Sequence, residues 1–145
     1  MKVVVQRVSK ANVKVDKEIV GEIQLGLLVL LGIDKGDTLQ QAKFLANKIS
    51  NLRIFADDNE KMNLSIKDVN GKMLVISQFT LSGNCLKGKR PSFDNAEHPS
   101  IAEPLYEDFI KLIKDEGIEV ETGVFGAMMD VYLVNNGPVT FIIEA

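Results

Sequence analysis

Two short stretches hold the residue types that could do chemistry. Ser77-Gln78-Phe79-Thr80-Leu81 sets two hydroxyls and an amide around one phenylalanine, directly after the apolar run Met73-Leu74-Val75-Ile76. A buried strand would stay hydrophobic at that point. The second stretch, Asn135-Asn136-Gly137-Pro138-Val139-Thr140, places a Gly-Pro pair at the start of the strand-like run Val139-Thr140-Phe141-Ile142-Ile143. Proline fixes φ and removes a donor that a central strand would use. Both stretches break local strand logic, as functional or strained sites do. An exposed polar face and a plain Asn-Gly turn account for the same residue types.

The rest of the composition narrows the chemistry by exclusion. One histidine and one cysteine are too few for a Cys/His zinc site, so no metal is expected. A Ser-His-Asp arrangement would have to use His98, which sits beside Pro99 in a polar segment. No glycine motif of the phosphate- or dinucleotide-binding type occurs, so no cofactor is expected. Asp57-Asp58-Asn59 reads as a turn before it reads as a carboxylate pair. What remains is hydroxyls, amides and main-chain N–H groups, without a strong base at neutral pH. Such a site suits a substrate that is already reactive, such as an activated ester. Backbone N–H groups of Phe79 and Thr80 could stabilise an oxyanion, each donor being worth about 2.7–4 kcal/mol, and positioning would add to that.

Chain-wide properties set the frame. Residues 1–145 are expected to form a single domain, and 46% hydrophobic with 26% charged residues is ordinary globular composition. No apolar run reaches the ~18–20 residues of a membrane span, and the N-terminus lacks a signal-peptide pattern. Cys85 alone can form no internal disulfide, which fits a cytoplasmic protein. A net charge of −3 gives no global field for nucleic acid. One local patch could supply it: Lys87-Gly88-Lys89-Arg90, with Lys61 and Lys72 as candidates to join it in space. A solvated loop is the alternative for that patch.

The elements that must position these residues follow from periodicity. Val3 to Val8 reads as a strand, and Val13-Lys14-Val15 and Ile19-Val20 as a hairpin around Asp16-Lys17-Glu18. Gly26 to Ile33 has the composition of a strand buried on both faces. Asp37 with Gln40 predicts a capping-box helix start, followed by Ala42, Leu45, Ala46, Ile49 and Leu52 at helical spacing. Leu52 to Phe55 and Lys72 to Leu81 read as strands, and Ser82 to Asn95 as a long loop. The stripe Ile101, Leu105, Phe109, Leu112, Ile113 predicts a second helix whose regular part begins at Pro104 and stops at Gly117. Val120, Met128 to Val134 and Val139 to Ile143 give the closing strands. The order predicts an α+β fold: a mostly antiparallel, barrel-like sheet with two covering helices.

At this point the sequence closely resembles the D-aminoacyl-tRNA deacylase (D-tyrosyl-tRNA deacylase) family. The likeness covers essentially the whole chain. It runs from Val5-Gln6-Arg7-Val8 through Leu52-Arg53-Ile54-Phe55, Ser77-Gln78-Phe79-Thr80-Leu81 and Gly88-Lys89-Arg90-Pro91-Ser92-Phe93 to Thr122-Gly123-Val124-Phe125-Gly126-Ala127 and Asn135-Asn136-Gly137-Pro138-Val139-Thr140-Phe141. The resemblance implies a homodimer that hydrolyses the ester between a D-amino acid, or glycine, and the terminal adenosine of tRNA, as chirality proofreading. It implies catalytic roles for Gln78, Phe79 and Thr80, with Ser77, Phe125 and Met129 around the substrate. It further implies a cis Gly137-Pro138 bond that reaches into the partner's pocket as a chiral gate, held by Arg7. Such a gate would reject the L side chain by a built-in clash. Thr80 is either a nucleophile or a positioning group for a reaction assisted by the ribose 2′-OH; no base is evident beside it, which favours the second. Lys87, Lys89 and Arg90 would touch tRNA phosphates, contacts that position without reading sequence. Two departures stand out: Asn136 where the family usually has Asp, and the less polar Asn84-Cys85-Leu86 ahead of the basic loop. A non-catalytic module binding the tRNA end on the same scaffold is the competing expectation.

Overall fold

The computed structural model describes all 145 residues. Its strands are β1 (Lys2–Val15), β2 (Glu18–Ile23), β3 (Gly26–Gly32), β4 (Phe55–Ala56), β5 (Met62–Leu64), β6 (Lys72–Ser77), β7 (Val120–Thr122) and β8 (Asp130–Glu144). Its helices are α1 (Leu39–Ser50) and α2 (Pro99–Asp115), with a 3₁₀ turn at Phe79–Ser82. No helix is long and apolar enough to cross a membrane.

The expected α+β architecture is present. β1 is the hub, pairing antiparallel with β2, β3 and β8, while β3–β6 and β6–β7 are parallel. Parallel neighbours need a crossover, and α1 and α2 supply the two. Asp16 and Lys17 both take positive φ at the β1–β2 turn, the backbone that a tight hairpin demands. The sheet rolls until β2 meets β7. A Cβ on Gly21 would lie 2.5 Å from the Thr122 carbonyl oxygen, so this near-closure requires glycine there.

The roll creates two cores. Val8, Ala11, Val13, Ile23, Leu28, Leu74 and Ile76 fill the inside of the barrel. Leu27, Val29, Leu31, Met73 and Val75 point outward, beneath Leu45 and Ile49 of α1 and Phe109 and Ile113 of α2. β3 thus alternates between two buried faces, which explains its unbroken apolar run.

Several local expectations shift, each for a physical reason. The N-cap of α1 is Thr38 with Gln41, one residue beyond the expected Asp37 and Gln40. Asp37 is taken by other contacts, one distant and one local: it accepts from the Met1 ammonium at 2.7 Å and from the Asp34 N–H at 2.6 Å. Helix α2 starts at Pro99, not Pro104. Pro104 lies on the exposed side, where its missing hydrogen bond is outweighed by burial of Ala102, Leu105, Tyr106, Phe109 and Ile113. Of the Leu52–Phe55 run only Phe55 is strand, in the two-residue β4 that continues to Ala56. β6 ends at Ser77, and the chain turns into the 3₁₀ segment instead of continuing to Leu81. Lys72 pairs with Glu119 at 2.5 Å. It starts β6, roughly 16 Å of strand from Ser77, so it does not join the basic loop. The last two strand-like runs form one strand, β8, that bulges between them.

Candidate active site

The end of β6 is where the sheet stops and polar groups begin. The Gln78 N–H still donates to the Leu31 carbonyl at 2.8 Å, completing the β3–β6 ladder. The backbone then tightens, with Leu81 N–H on the Gln78 carbonyl at 3.2 Å and Gly83 N–H on the Thr80 carbonyl at 3.0 Å. A helical start leaves its first N–H groups without intrahelical acceptors. Here those belong to Phe79 and Thr80. The Gln78 amide donates to Thr80 Oγ1 at 2.5 Å, locking the two polar side chains together.

These residues line a cleft of about 860 Å³. Ser77, Gln78, Phe79 and Thr80 form one wall; Phe125 and Met129, from the β7–β8 connection, form another, so six of the expected site residues meet in one cavity. The floor is Leu31 and Ile76, both buried. Phe79 is 59% exposed and touches Phe93 edge-on, with ring centroids 5.1 Å apart. Phe125 packs on Tyr106 at 5.7 Å. The Tyr106 hydroxyl donates to the Val75 carbonyl at 2.8 Å, which anchors β6, and burial pushes its pKa up.

Phe93, His98 and Met128 also line the cleft; residue patterns raised His98 only as the histidine of a Ser-His-Asp arrangement and did not single out the other two. Phe93 lies within the stretch that carried the family resemblance; Met128, 92% exposed, gave no signal at all. His98 caps α2: its Nδ1 accepts from the Ser100 N–H at 3.3 Å and lies 2.8 Å from Ser100 Oγ. It makes no hydrogen bond to Ser77 or Thr80, so the cleft holds no Ser-His-Asp relay. No cluster of three or more His, Cys, Asp or Glu side chains is placed to hold a metal ion.

Arg7, Gly137 and Pro138 lie elsewhere on the molecule and do not line the cleft of their own chain. Opposite Gln6 and Val8, β8 presents Thr140 and Asn135, so Asn136 to Val139 bulge out across from the single residue Arg7. Arg7 Nε donates to the Asn136 carbonyl at 3.2 Å and Nη1 to the Ile54 carbonyl at 2.6 Å. The guanidinium thereby ties the bulge to the β4 approach. Asn135 Oδ1 accepts from the Val139 N–H at 3.2 Å, closing the bulge from within. Gly137 takes φ +124°, and its peptide bond to Pro138 is cis, as the resemblance implied. Both residues are exposed.

The basic loop folds back on itself through two hydrogen bonds between Asn84 and Ser92. Lys87, Lys89 and Arg90 stand at its exposed tip, with none of them in an ion pair.

Comparison with known proteins places this geometry. A sequence model described as D-Tyr-tRNA(Tyr) deacylase matches residues 4–144. A D-aminoacyl-tRNA deacylase from Desulfatibacillum aliphaticivorans is 59% identical over 145 residues, covering 100% of this chain and 99% of the relative. One from Bacillus cytotoxicus is likewise 59% identical, with the same coverage. Among solved structures, a c-Myc DNA unwinding element binding protein superposes with a TM-score of 0.94 at 39% identity, over 100% of this chain and 99% of the other. A probable eukaryotic D-amino acid tRNA deacylase shares the fold, with a TM-score of 0.84 at 16% identity and 99% and 98% coverage. The chain belongs to the D-aminoacyl-tRNA deacylase family.

Proposed function

We propose that this protein hydrolyses the ester of D-aminoacyl-tRNA, and of glycyl-tRNA, releasing the free amino acid and tRNA. One observation carries the reading: two free main-chain N–H groups, at Phe79 and Thr80, open a large, mostly apolar cleft whose lining carboxylate and imidazole, Glu97 and His98, make no hydrogen bond to its Ser77 and Thr80 hydroxyls. An aminoacyl ester is reactive enough to need only positioning and oxyanion stabilisation. The carbonyl oxygen faces the two N–H groups, and Phe79, Phe93 and Phe125 supply flat surfaces for the adenosine. Thr80 Oγ1 has the Gln78 amide as its hydrogen-bond partner, and an amide accepts no proton. A general base must lie within hydrogen-bond reach of the proton it takes. Thr80 therefore orients the ester, while water attacks with assistance from the ribose 2′-OH.

Chirality comes from a second copy. The cleft is open on its own chain, and the Gly137–Pro138 bulge points outward with nothing to act on. The strand carrying it has one unpaired edge, 15 residues long, and exposes Tyr132, Val134, Phe141 and Ile142, the last at 70%. Long edges and apolar surfaces of this kind are normally covered. In a two-fold dimer the bulge of each protomer enters its partner's cleft. Its carbonyls take the α-ammonium, and the proline ring occupies the space of an L side chain. A D side chain points outward, so many are tolerated, and glycine has none to reject. The basic tip at Lys87, Lys89 and Arg90 guides tRNA phosphates.

Side-by-side deacylation of D-Tyr-tRNA and L-Tyr-tRNA, with EDTA present, tests the reading. Rapid loss of the D-ester alone is expected. Intact esters of both kinds would move the assignment to a module that only binds the tRNA end.

A further inference from the structure

A second cavity, of about 530 Å³, lies behind the first, and nothing in the deacylation chemistry uses it. The two share walls. Phe79 and Thr80 face the first cleft while Ser82, on the same 3₁₀ turn, faces the second; Phe93 faces the first while Ser92 and Asp94 face the second. At about 2 Å of rise per residue, Ser82 lies about 4 Å along the turn from Thr80. The neighbourhood is firmly built, by the Asn84–Ser92 pair of hydrogen bonds and by Lys35 N–H on the Asn95 carbonyl at 2.9 Å.

The lining of this cavity is mixed: Lys2, Ser82, Asn84, Ser92, Asp94 and Asn95 are its polar side chains, beside Gly83, Cys85 and Leu86. Its hydrogen-bonding groups are only partly used. Ser82 is 5% exposed, yet its Oγ has no partner, which is costly for a buried hydroxyl. Asn84 Oδ1 accepts from the Leu86 N–H at 2.9 Å, leaving the amide Nδ2 as a donor. Asp94 Oδ2 accepts from Ser92 Oγ at 2.6 Å, leaving Oδ1 as an acceptor. The cavity thus presents one anionic acceptor beside two neutral donors, with Lys2 as the one cation in its lining. The Lys2 ammonium already faces Asp34 at 3.8 Å, and Asp94 adds a second carboxylate, so the cavity is a poor phosphate site. It also sits at the base of the loop whose tip carries Lys87, Lys89 and Arg90, the place where a nucleic-acid backbone would pass.

We propose that this cavity is a nucleobase subsite for the cytidine immediately 5′ of the terminal adenosine. The inference rests on the assignment of the first cleft to an aminoacyl-adenosine end. Single-stranded RNA is read on the Watson–Crick edges of its bases. Cytosine offers an N4 amino donor, which a carboxylate accepts, next to N3 and O2 acceptors. Asp94 takes the amino group, and Asn84 Nδ2 and the Ser82 hydroxyl supply the donors. Uracil presents an oxygen where cytosine has the amino group and would meet Asp94 with like polarity. All tRNAs end in the same CCA, so this subsite recognises the substrate class without distinguishing among tRNAs.

The test uses D-tyrosyl esters of three small substrates: adenosine, the dinucleotide CpA and the dinucleotide UpA. With the native protein, kcat/KM for the CpA ester should exceed that for the adenosine ester about tenfold, the scale of one base-edge pair, and the UpA ester should lose most of that gain. Asp94→Ala removes the acceptor and should bring the CpA-to-adenosine ratio close to one. Equal rates on all three esters with the native protein, or an unchanged ratio in D94A, would overturn the subsite while leaving the deacylase reading standing. No cleavage of the adenosine ester or of D-Tyr-tRNA would overturn both together.

Discussion

Replacing Gly137 by alanine is the sharpest single perturbation of the proposed gate. At φ +124° an L side chain is strained wherever there is space, and here there is none. The new Cβ would lie 2.8 Å from Arg7 Nη2 and 2.8 Å from Val139 Cγ2. Relief requires moving the guanidinium, which at present holds the Asn136 and Ile54 carbonyls. Backbone strain of this kind costs about 1–3 kcal/mol. For a chain of this size each kcal/mol lowers Tm by about 2–4 °C, so a drop of roughly 2–12 °C is expected. The functional effect should be larger than the thermal one, because the bulge is the part that discriminates. The ratio of D-Tyr-tRNA to L-Tyr-tRNA hydrolysis should fall at a temperature where the variant is fully folded. A Tm within 1 °C of the native value with an unchanged ratio would refute both the strain and the gate.

Three other expectations follow from the same geometry. Thr80→Val removes a positioning hydroxyl but no nucleophile, so single-turnover hydrolysis of D-Tyr-tRNA should fall by about tenfold or less, a barrier change near 1.4 kcal/mol; a loss of several thousandfold would establish a covalent role. Substituting Lys87, Lys89 and Arg90 together by alanine should weaken tRNA binding and shallow its salt dependence by about two units of log–log slope; an unchanged slope in a filter-binding titration would remove this loop from the interface. Acid stability should track three carboxylates. N–H groups of Lys61 and Asn59 hold the Asp57 carboxyl below its usual value, the Ser65 N–H and hydroxyl do the same for Asp68, and Lys67 and Asn47 for Glu116. Because the folded pKa values are depressed, their stabilisation is fully present above the ordinary carboxylate range and is lost as pH falls through the folded values. Denaturant midpoints should therefore decline below about pH 4, less steeply in an Asp57→Asn, Asp68→Asn variant; identical slopes would contradict this.

Much of the fold was legible because periodicity and burial agree. The β3 run, the stripes of both helices and the Asp16–Lys17 turn all follow from local sequence. What was hidden depends on contacts distant in the chain. Asp37 looks like a cap until the Met1 ammonium claims it. Pro104 looks like a helix start until five buried side chains of α2 are seen to hold a helix through it. The polar residues of Ser77 to Leu81 announce a break in strand logic, but nothing local says that the backbone tightens into a 3₁₀ turn at Phe79. The six cleft residues could be grouped through the family resemblance, but not Met128, whose exposure is set by a loop with no periodic signal. Arg7 and Gly137 show the converse: their sequence stretches were conspicuous, while their joint geometry, a bulge gripped from the opposite strand, needed the sheet register.

The claim that the Gly137–Pro138 bulge of one protomer completes the cleft of another is tested most directly by mixing two defective chains. One carries Gln78→Ala in the cleft, the other Gly137→Ala in the bulge, and each alone should cleave D-Tyr-tRNA poorly. Unfolded together and refolded as a mixture, they form two-fold heterodimers in which one cleft and the bulge serving it are both native. Random pairing then restores about a quarter of the native activity. Recovery to that level is the predicted result; activity no higher than that of the separate variants would mean that the bulge does not act across the dimer.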